Sequence, residues 1–225
     1  MTHARFRFSL WPYLFIAPQL LITLIFFIWP AISALCSAFS TENSFGLHRH
    51  FVWFKNFIAL FESHSYSKAF IITAIFCVAV TILAQALGLL FATLTERTTK
   101  LKKAYRTFYI LPYAVAPAVA GIVFRFLFDP AVGIIPYWLH DFGIIWNAKT
   151  HPGQALCLII FVAAWQQLSY NFLFYLAALQ SVPKSLIEAA ALDGAGPFKR
   201  FWTIVFPMLS PTTFFLIVMN GLYAL

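Results

Sequence analysis

The sequence predicts an all-α membrane protein, a polytopic bundle of five transmembrane helices with its N-terminus in the cytoplasm. Three observations indicate this class. The 225 residues are 62% hydrophobic and 10% charged, whereas a soluble domain carries about 25% charged residues. The apolar residues gather in five long runs. Ten of the fifteen Lys and Arg residues fall in alternate segments between those runs.

About 20 mostly apolar residues span the hydrocarbon core, so four of the apolar runs are long enough to cross a membrane and the fifth, with 18 residues, is barely long enough. In lipid a helix satisfies its own backbone hydrogen bonds. The predicted helices cover residues 11–38, 69–93, 105–128, 154–180 and 208–225. Pro18 and Pro30 interrupt the first run, which is longer than the roughly 7–15 apolar residues of a signal peptide. We therefore interpret it as a membrane helix and not as a cleaved signal.

The charge of the connecting segments predicts the orientation. The N-terminal tail, the loop at 94–106 and the loop at 181–207 together hold ten Lys and Arg residues against three acidic ones, a net charge of +7. The segments 39–68 and 129–153 hold four of each and are neutral. Because Lys and Arg are enriched in cytoplasmic loops, the N-terminus and the 181–207 loop are predicted to face the cytoplasm.

Nothing in the sequence predicts a catalytic or metal site. The outer segment 39–68 mixes aromatic residues, which fit an interfacial belt, with His48, His50 and His64, whose spacing fixes no ligand geometry. There is no Walker lysine loop, no GxGxxG after a strand and no HExxH. Cys36, Cys77 and Cys157 lie in apolar runs, and we interpret them as buried small hydrophobic residues.

The loop between the fourth and fifth runs carries a spaced pattern. Glu188-Ala189-Ala190 is followed after three residues by Gly194, and after nine more by Ile204-Val205-Phe206-Pro207. The pattern predicts a helix over 184–193, a left-handed C-cap at Gly194 and a second short helix over about 198–205 that ends at Pro207. An amphipathic helix lying on the membrane surface is the alternative, but it does not explain the continuation after Gly194.

Polar residues cluster near the middle of the fourth predicted helix, where they are costly in hydrocarbon. They are Gln166, Gln167, Ser169, Tyr170 and Asn171. Two interpretations stay open, because such groups line a translocation path or hydrogen-bond neighbouring helices. In the third helix, Pro112 and Pro117 predict kinks that free backbone carbonyls.

Arg125 is a basic residue near the outer end of the third predicted helix. It lies four residues before Asp129, so an ion pair within the helix is the simplest expectation. A contact with an anionic substrate is the alternative.

The loop pattern resembles the signature of permease subunits of ATP-binding-cassette importers of type I, with Phe206 in place of the usual Leu. The pieces YRTFYILPYAVAPAVAG (105–121) and FLFYLAALQSVPKSLIEAAALDGAGPF (172–198) extend the resemblance over a permease core at 69–225, after an N-terminal part at 1–68. The resemblance implies that the loop docks into an ATPase. The docking residues it implies are Glu188, Ala189, Ala190, Asp193, Gly194, Ile204 and Pro207.

The resemblance also implies partners. These are a second permease subunit, two copies of an ATPase subunit that use ATP and Mg, a periplasmic binding protein and the bilayer of the bacterial inner membrane. No cofactor is expected on this chain, and no nucleic acid partner. A non-transporting scaffold that binds a cytoplasmic protein is the alternative, and a gene neighbourhood encoding an ATPase and a second permease would exclude it.

The chain resembles the carbohydrate-importer branch of this family, and within it the permeases for sn-glycerol 3-phosphate. The pieces that carry this resemblance are PYLFIAPQLLITLIFFIWP (12–30), LPYAVAPAVA (111–120) and SYNFLFYLAALQSVPKSLIEAAALDGAGP (169–197). Another sugar or polyol is the alternative substrate. The family has a sixth helix, whereas this sequence stops at Leu225. We therefore expect either a fragment or a truncated product with little activity of its own.

The predicted orientation is testable by thiol labelling in a variant whose three native cysteines are replaced by Ala. Lys102→Cys is expected to be protected from an impermeant reagent on intact cells, because its loop is cytoplasmic, whereas Lys149→Cys is expected to react. Permeabilised cells provide the control, in which both positions react. The reversed pattern on intact cells would contradict the topology.

Overall fold

Apolar runs that must satisfy their own backbone hydrogen bonds fold as helices, and the structure, a computed structural model, follows this rule. It describes residues 11–42, 49–98 and 102–225. The N-terminal tail, His48 and Lys100 lie outside the described residues. The predicted helical membrane fold is confirmed, with one short two-stranded sheet added to it. The chain divides into two compact units between Ala69 and Phe70.

The first unit contains a long apolar helix, a β-hairpin and a short helix. Its elements are α1 Trp11–Thr23, the π-helical segment π1 Leu24–Ile28, α2 Trp29–Ala38, β1 Ser40–Glu42, β2 Arg49–Phe51 and α3 Lys55–Glu62. Pro12–Ala38 is one continuous helix. The wider π turn directly precedes Pro30, whose ring would clash with a carbonyl of the preceding α-turn.

A short β-hairpin is added to the predicted helical fold. Strand β1 pairs antiparallel with β2, with Ser40 opposite Phe51. The Phe39 and Phe51 rings stack with centroids 6.2 Å apart. Asn56 Nδ2 donates to the carbonyl oxygens of Ala38 at 2.9 Å and Ser40 at 3.1 Å. These side-chain contacts hold strands that are too short to produce a period-2 pattern in the sequence.

The second unit contains most of the helices. Helix α4 begins at the end of the first unit and continues into the second. The elements are α4 His64–Arg97, α5 Lys102–Ala114, α6 Pro117–Leu127, α7 Ile134–Asp141, α8 Pro152–Ser181, α9 Lys184–Leu192, α10 Pro197–Arg200, π2 Phe201–Val205, α11 Phe206–Met208 and α12 Ser210–Ala224.

The five predicted membrane segments correspond to three long helices and two bent pairs. Pro12–Ala38, α4 and α8 are each long and apolar enough to cross a membrane. The third predicted segment is broken into α5 and α6, which meet at 96°. The fifth corresponds to α12, which makes a bent pair at 65° with the helix Pro197–Met208 of the predicted loop. The described residues therefore supply up to five crossings.

Only one of the two prolines in the third segment breaks it. Pro112 stays inside α5, whereas Pro117 begins α6. The residue before a proline is pushed out of the helical region, and Ala116 is extended, with ψ 136°. The break removes helical partners from nearby carbonyl oxygens, as the sequence predicts.

Helix α8 forms the centre of the second unit. Its residues Phe172, Tyr175 and Leu176 are at most 2% exposed, and they pack with Leu209 and Leu216 in one apolar cluster. Helix α5 adds Tyr109, whose ring centroid lies 5.2 Å from that of Phe172. The core therefore joins α5 and α12 to α8.

Small residues let α4 approach α8. Ala84, Gly88 and Ala92 recur every four residues along α4 and are buried, as in close helix–helix contacts in membranes. A Cβ built at Gly88 would lie 2.6 Å from Asn171 Cβ and 3.0 Å from the backbone nitrogen of Phe172. Gly88 is therefore required by the packing.

The three cysteines are free thiols, and the expectation that all are buried is wrong for two of them. Cys36 and Cys157 are exposed, and Cys77 is partly exposed. An apolar run does not distinguish the face of a helix that packs on protein from the face that is open to its surroundings. A small thiol is compatible with either face.

Gly88→Ala is expected to lower the stability of the protein by about 1–3 kcal/mol, because the new methyl group meets backbone that must move. Gly121→Ala in α6 is the matched control, since its Cβ would meet nothing within 4 Å. Thermal unfolding of the detergent-solubilised protein measures both. Equal melting temperatures for the two variants would contradict the close contact.

Candidate functional site

The loop after α8 begins with the helix that the sequence predicts. Helix α9 ends at Leu192, and Gly194 follows with φ +78°. Gly194 N donates to Ala191 O at 3.1 Å, and Ala195 N donates to Ala190 O at 2.9 Å. These two bonds form a Schellman motif, which needs a residue in the left-handed region. The predicted left-handed C-cap is confirmed.

The second half of the loop contains the second helix that the sequence predicts. Helix α10, π2 and α11 run continuously from Pro197 to Met208, so the helix ends one residue after the predicted end at Pro207. Phe206 N donates to Phe201 O in a π-type bond. This wider turn accommodates the ring of Pro207 without ending the helix.

One face of the loop is anchored and the other is open. Val205 is 8% exposed and packs in the apolar cluster with Ile187 beside it. Arg200 Nη1 donates to Ile187 O at 3.4 Å and joins α10 to α9. On the open face Leu192 is 91% exposed and Phe198 is 78% exposed.

The residues of the predicted docking set lie mostly on this open side. Those that are exposed are Glu188, Ala189, Asp193, Gly194 and Pro207, and those that are partly buried are Ala190 and Ile204. Among the described residues, Glu188 makes no hydrogen bond or ion pair, so its carboxylate is available to another protein.

Glu96 connects three helix ends and lines one pocket together with Ile187, Pro197 and Arg200 of the loop. Its Oε2 lies 2.7 Å from Lys102 Nζ and accepts a 3.4 Å hydrogen bond from Gln180 Nε2. These residues belong to the end of α4, the start of α5 and the end of α8. The carboxylate thus places negative charge among the basic residues of the predicted cytoplasmic side.

Two buried amides join α8 to α12. Asn171 Nδ2 donates to Asn220 Oδ1 at 3.0 Å, and Asn220 Nδ2 donates to Asn171 Oδ1 at 2.9 Å. Asn171 Nδ2 also donates to Gln167 O at 2.8 Å. Both asparagine residues are 0% exposed. Asn171 is therefore placed in a helix–helix contact.

A second polar contact lies one turn along α8. Tyr175 OH is 3.0 Å from Gln85 Oε1 and 3.3 Å from Thr213 Oγ1. The hydroxyl connects α4, α8 and α12 inside the apolar cluster. Because a tyrosine hydroxyl needs a partner when it is buried, this network fixes the relative register of the three helices.

Gln166 has a different environment from Asn171. Its Nε2 donates to Val115 O at 3.4 Å, and its Oε1 accepts from Tyr223 OH at 3.1 Å. Val115 lies in the break between α5 and α6, so the amide satisfies a carbonyl that the break frees. Gln166 also lines a cavity of about 540 Å³ between α4, α6, α8 and α12.

The other members of the predicted polar cluster have distinct positions. Ser169 is 0% exposed, and its Oγ has no hydrogen-bond partner among the described residues. Tyr170 is partly buried, and its ring centroid lies 4.7 Å from that of Phe174. Gln167 is also partly buried. The five residues are thus divided between packed contacts and a cavity wall.

The expected ion pair between Arg125 and Asp129 is absent from the described residues, and that expectation is wrong. Asp129 Oδ2 lies 2.7 Å from Lys149 Nζ, and Asp129 Oδ1 accepts from Ala131 N at 2.9 Å. The Lys149 hydrogen bond, followed by that from Ala131, lowers the pKa of Asp129. Arg125 instead lines the cavity that contains Gln166.

Sequence reasoning missed the residues of α12. Thr213 and Asn220 lie seven residues apart and pair with Tyr175 and Asn171, which lie four apart on α8. Tyr223 was missed as well. Polar residues at heptad spacing in an apolar helix were the available signal, because they share one face.

Residues 84–225 match the model of the family described as binding-protein-dependent transport system inner membrane component. The match covers more than half of the chain and includes both the loop and the polar contacts. The chain belongs to this family. This permease is thus a membrane subunit of an ATP-binding-cassette importer and not an enzyme.

The permease is also similar to several curated proteins, each named sn-glycerol-3-phosphate transport system permease protein UgpA. It is 50% identical to that of Agrobacterium fabrum over 95% of this chain and 73% of the relative. It is 48% identical to that of Rhizobium meliloti over 100% of this chain and 76% of the relative. It is 48% identical to that of Escherichia coli O157:H7 over 97% of this chain and 74% of the relative.

The fold matches a solved transporter as well. The crystal structure of a bacterial ABC transporter involved in the import of the acidic polysaccharide alginate superposes with a TM-score of 0.78 at 23% identity. The match covers 92% of this chain and 71% of that chain. It confirms the helical permease fold.

Asn220→Leu is expected to destabilise the permease by about 1–2 kcal/mol, because it leaves the buried amide of Asn171 without its partner. The double variant Asn171→Leu/Asn220→Leu is expected to recover part of this loss, since neither amide is then unpaired. Thermal unfolding of both single variants and the double variant measures the coupling. Strictly additive effects would contradict the amide pair.

Proposed function

We propose that this permease transports sn-glycerol 3-phosphate across the bacterial inner membrane. The observation that carries the proposal is 50% identity, over 95% of the chain, to a permease named for this substrate. The cavity beside Gln166 is in keeping with a small polar solute, because its wall combines apolar side chains with a few polar ones.

The proposed assembly contains a second permease subunit, two copies of an ATPase subunit and a periplasmic substrate-binding protein. ATP and Mg are used by the ATPase, since this chain has no phosphate-binding loop. A solved relative in complex with a pentasaccharide-bound periplasmic protein supports this organisation for the fold.

The loop from α9 to α11 is the proposed docking element for the ATPase. Its open face combines a free carboxylate at Glu188 with the exposed apolar side chains of Leu192 and Phe198. Small side chains at Ala189 and Ala190 leave α9 narrow enough to enter a groove. A charged group surrounded by apolar contacts is typical of a specific protein interface.

The contacts inside the second unit support mechanical coupling. The loop follows α8 and precedes α12, and these two helices are joined by the Asn171–Asn220 amides and by the Tyr175–Thr213 contact. A displacement of the docked loop therefore moves the pair together. ATP binding and hydrolysis in the ATPase would bias inward-open against outward-open states through such movement.

The proposed function is tested by transport into proteoliposomes that contain this permease, joined to the sixth helix of a related permease, with its partner permease, ATPase and binding protein. ATP-dependent uptake of labelled sn-glycerol 3-phosphate is the expected result. Omitting this permease is the control and should abolish uptake. Uptake of a different sugar or polyol, without glycerol phosphate uptake, would contradict the substrate assignment.

In the same system, Gly194→Leu and Glu188→Arg are expected to reduce uptake strongly while membrane insertion is retained. Leu at a positive φ costs about 1–2 kcal/mol and distorts the Schellman motif. Arg at 188 reverses a charge that faces the ATPase. Gly196→Leu is the matched control, since Gly196 has φ −65°. Normal ATPase co-purification and normal uptake in both test variants would contradict the docking role.

A further inference from the structure

A cavity of about 540 Å³ lies between α4, α6, α8 and α12 of the permease, with Phe76 as the contribution of α4. Its polar lining comes from three side chains on three helices, Arg125, Gln166 and Tyr223. Apolar side chains and Gly121 form the rest of the wall. The cavity therefore offers a few polar groups against an apolar background, as small-molecule sites do.

One wall of the cavity is a continuous face of α6. Pro117, Gly121 and Arg125 all line it, and their four-residue spacing places them on the same side of a helix. A Cβ built at Gly121 would meet nothing within 4 Å. Gly121 thus leaves open space between the break at one end of α6 and the guanidinium at the other.

The cavity has a polar group towards each end. Gln166 is hydrogen-bonded to Val115 O, so it lies at the level where α6 begins. The cavity extends along α8 from Gln166 to Leu158, which lies eight residues earlier in the chain and therefore about 12 Å away along the helix axis. Arg125 lies near the opposite end of α6 from Val115. In the predicted topology that end faces outwards, so a solute from outside meets Arg125 first.

Arg125 has no counter-charge among the described residues. The carboxylate nearest to it in sequence, Asp129, is paired with Lys149 at 2.7 Å. The residues lining the cavity include no Asp or Glu. Arg125 is exposed and therefore open to a solute, and the planar donors of its guanidinium match the oxygens of a phosphate group.

Gln166 and Tyr223 supply a different chemistry. Their mutual hydrogen bond of 3.1 Å fixes the amide, whose Nε2 is engaged by Val115 O. The remaining amide hydrogen and the lone pairs of both oxygens are positions for alcohol hydroxyl groups. The cavity therefore combines an anion donor with a site for hydroxyls.

We propose that this cavity binds the substrate during translocation, with Arg125 contacting the phosphate monoester and with Gln166 and Tyr223 contacting the hydroxyl groups. The inference rests on the proposed function, because it deepens the assignment of an anionic polyol phosphate. It names the residues on this chain that distinguish such a substrate from an uncharged sugar.

The test is the uptake of labelled sn-glycerol 3-phosphate by the complete importer in proteoliposomes. Arg125→Gln is expected to raise the KM for uptake about tenfold or more, because charge-assisted hydrogen bonds to the phosphate are lost. Arg125→Lys should give an intermediate value, since it keeps the charge but loses the planar donors. Lys55→Gln, which removes an exposed outer-loop cation, is the matched control and should keep the wild-type KM.

Two further measurements separate binding from misfolding. ATPase activity stimulated by the liganded binding protein should be unchanged in Arg125→Gln, because the docking loop is intact. Gly121→Leu should fill the cavity and abolish uptake with assembly retained, whereas Gly121→Ala should transport as the wild type does.

The outcomes distinguish the two proposals. A wild-type KM in Arg125→Gln, or wild-type uptake in Gly121→Leu, would overturn the substrate cavity and leave the proposed function intact. A wild-type importer that takes up no glycerol phosphate would overturn the proposed function and the cavity assignment together.

Discussion

The close contact of α4, α8 and α12 at Gly88, Asn171 and Asn220 is the interaction on which the rest of the second unit depends. Gly88 permits backbone-to-backbone approach, and reciprocal hydrogen bonds pair the two buried asparagine amides. Helix association in lipid gains little from burial of apolar surface, so close packing and polar pairing determine it. This contact sets the position of α8 and hence of Gln166.

Backbone hydrogen bonding explains why the irregular segments lie where they do. The break before Pro117 is tolerated because Gln166 donates to Val115 O. The turns before Pro30 and Pro207 widen into π segments, which keep the helices continuous. Non-helical backbone at membrane depth is stable only where other groups or a polar cavity satisfy it. The α5–α6 break and the polar cavity are therefore linked features.

Local signals were sufficient to predict the membrane helices, the loop helix α9 and the left-handed Gly194, because composition, proline position and glycine conformation act over a few residues. The partners of Asn171 and Asp129 were not predictable in this way. Asn220 is 49 residues from Asn171 in the chain, and no local pattern identifies which polar residue it meets. Lys149, rather than Arg125, pairs with Asp129 because the chain returns to it after α7.

Helix α8 relates the proposed docking loop to the proposed substrate cavity. It runs without a break over 30 residues, from Pro152 to Ser181, so a shift at the loop reaches Gln166 without bending at a hinge. Helix α12 moves with it through the amide pair, whereas α6 is separated from α5 by the break. A shift of α8 and α12 together against α6 would change the distance between Gln166 and Arg125. A single movement, driven by the ATPase, would then lower the affinity of the cavity for the substrate. Transport requires such a difference in affinity between the inward-open and outward-open states.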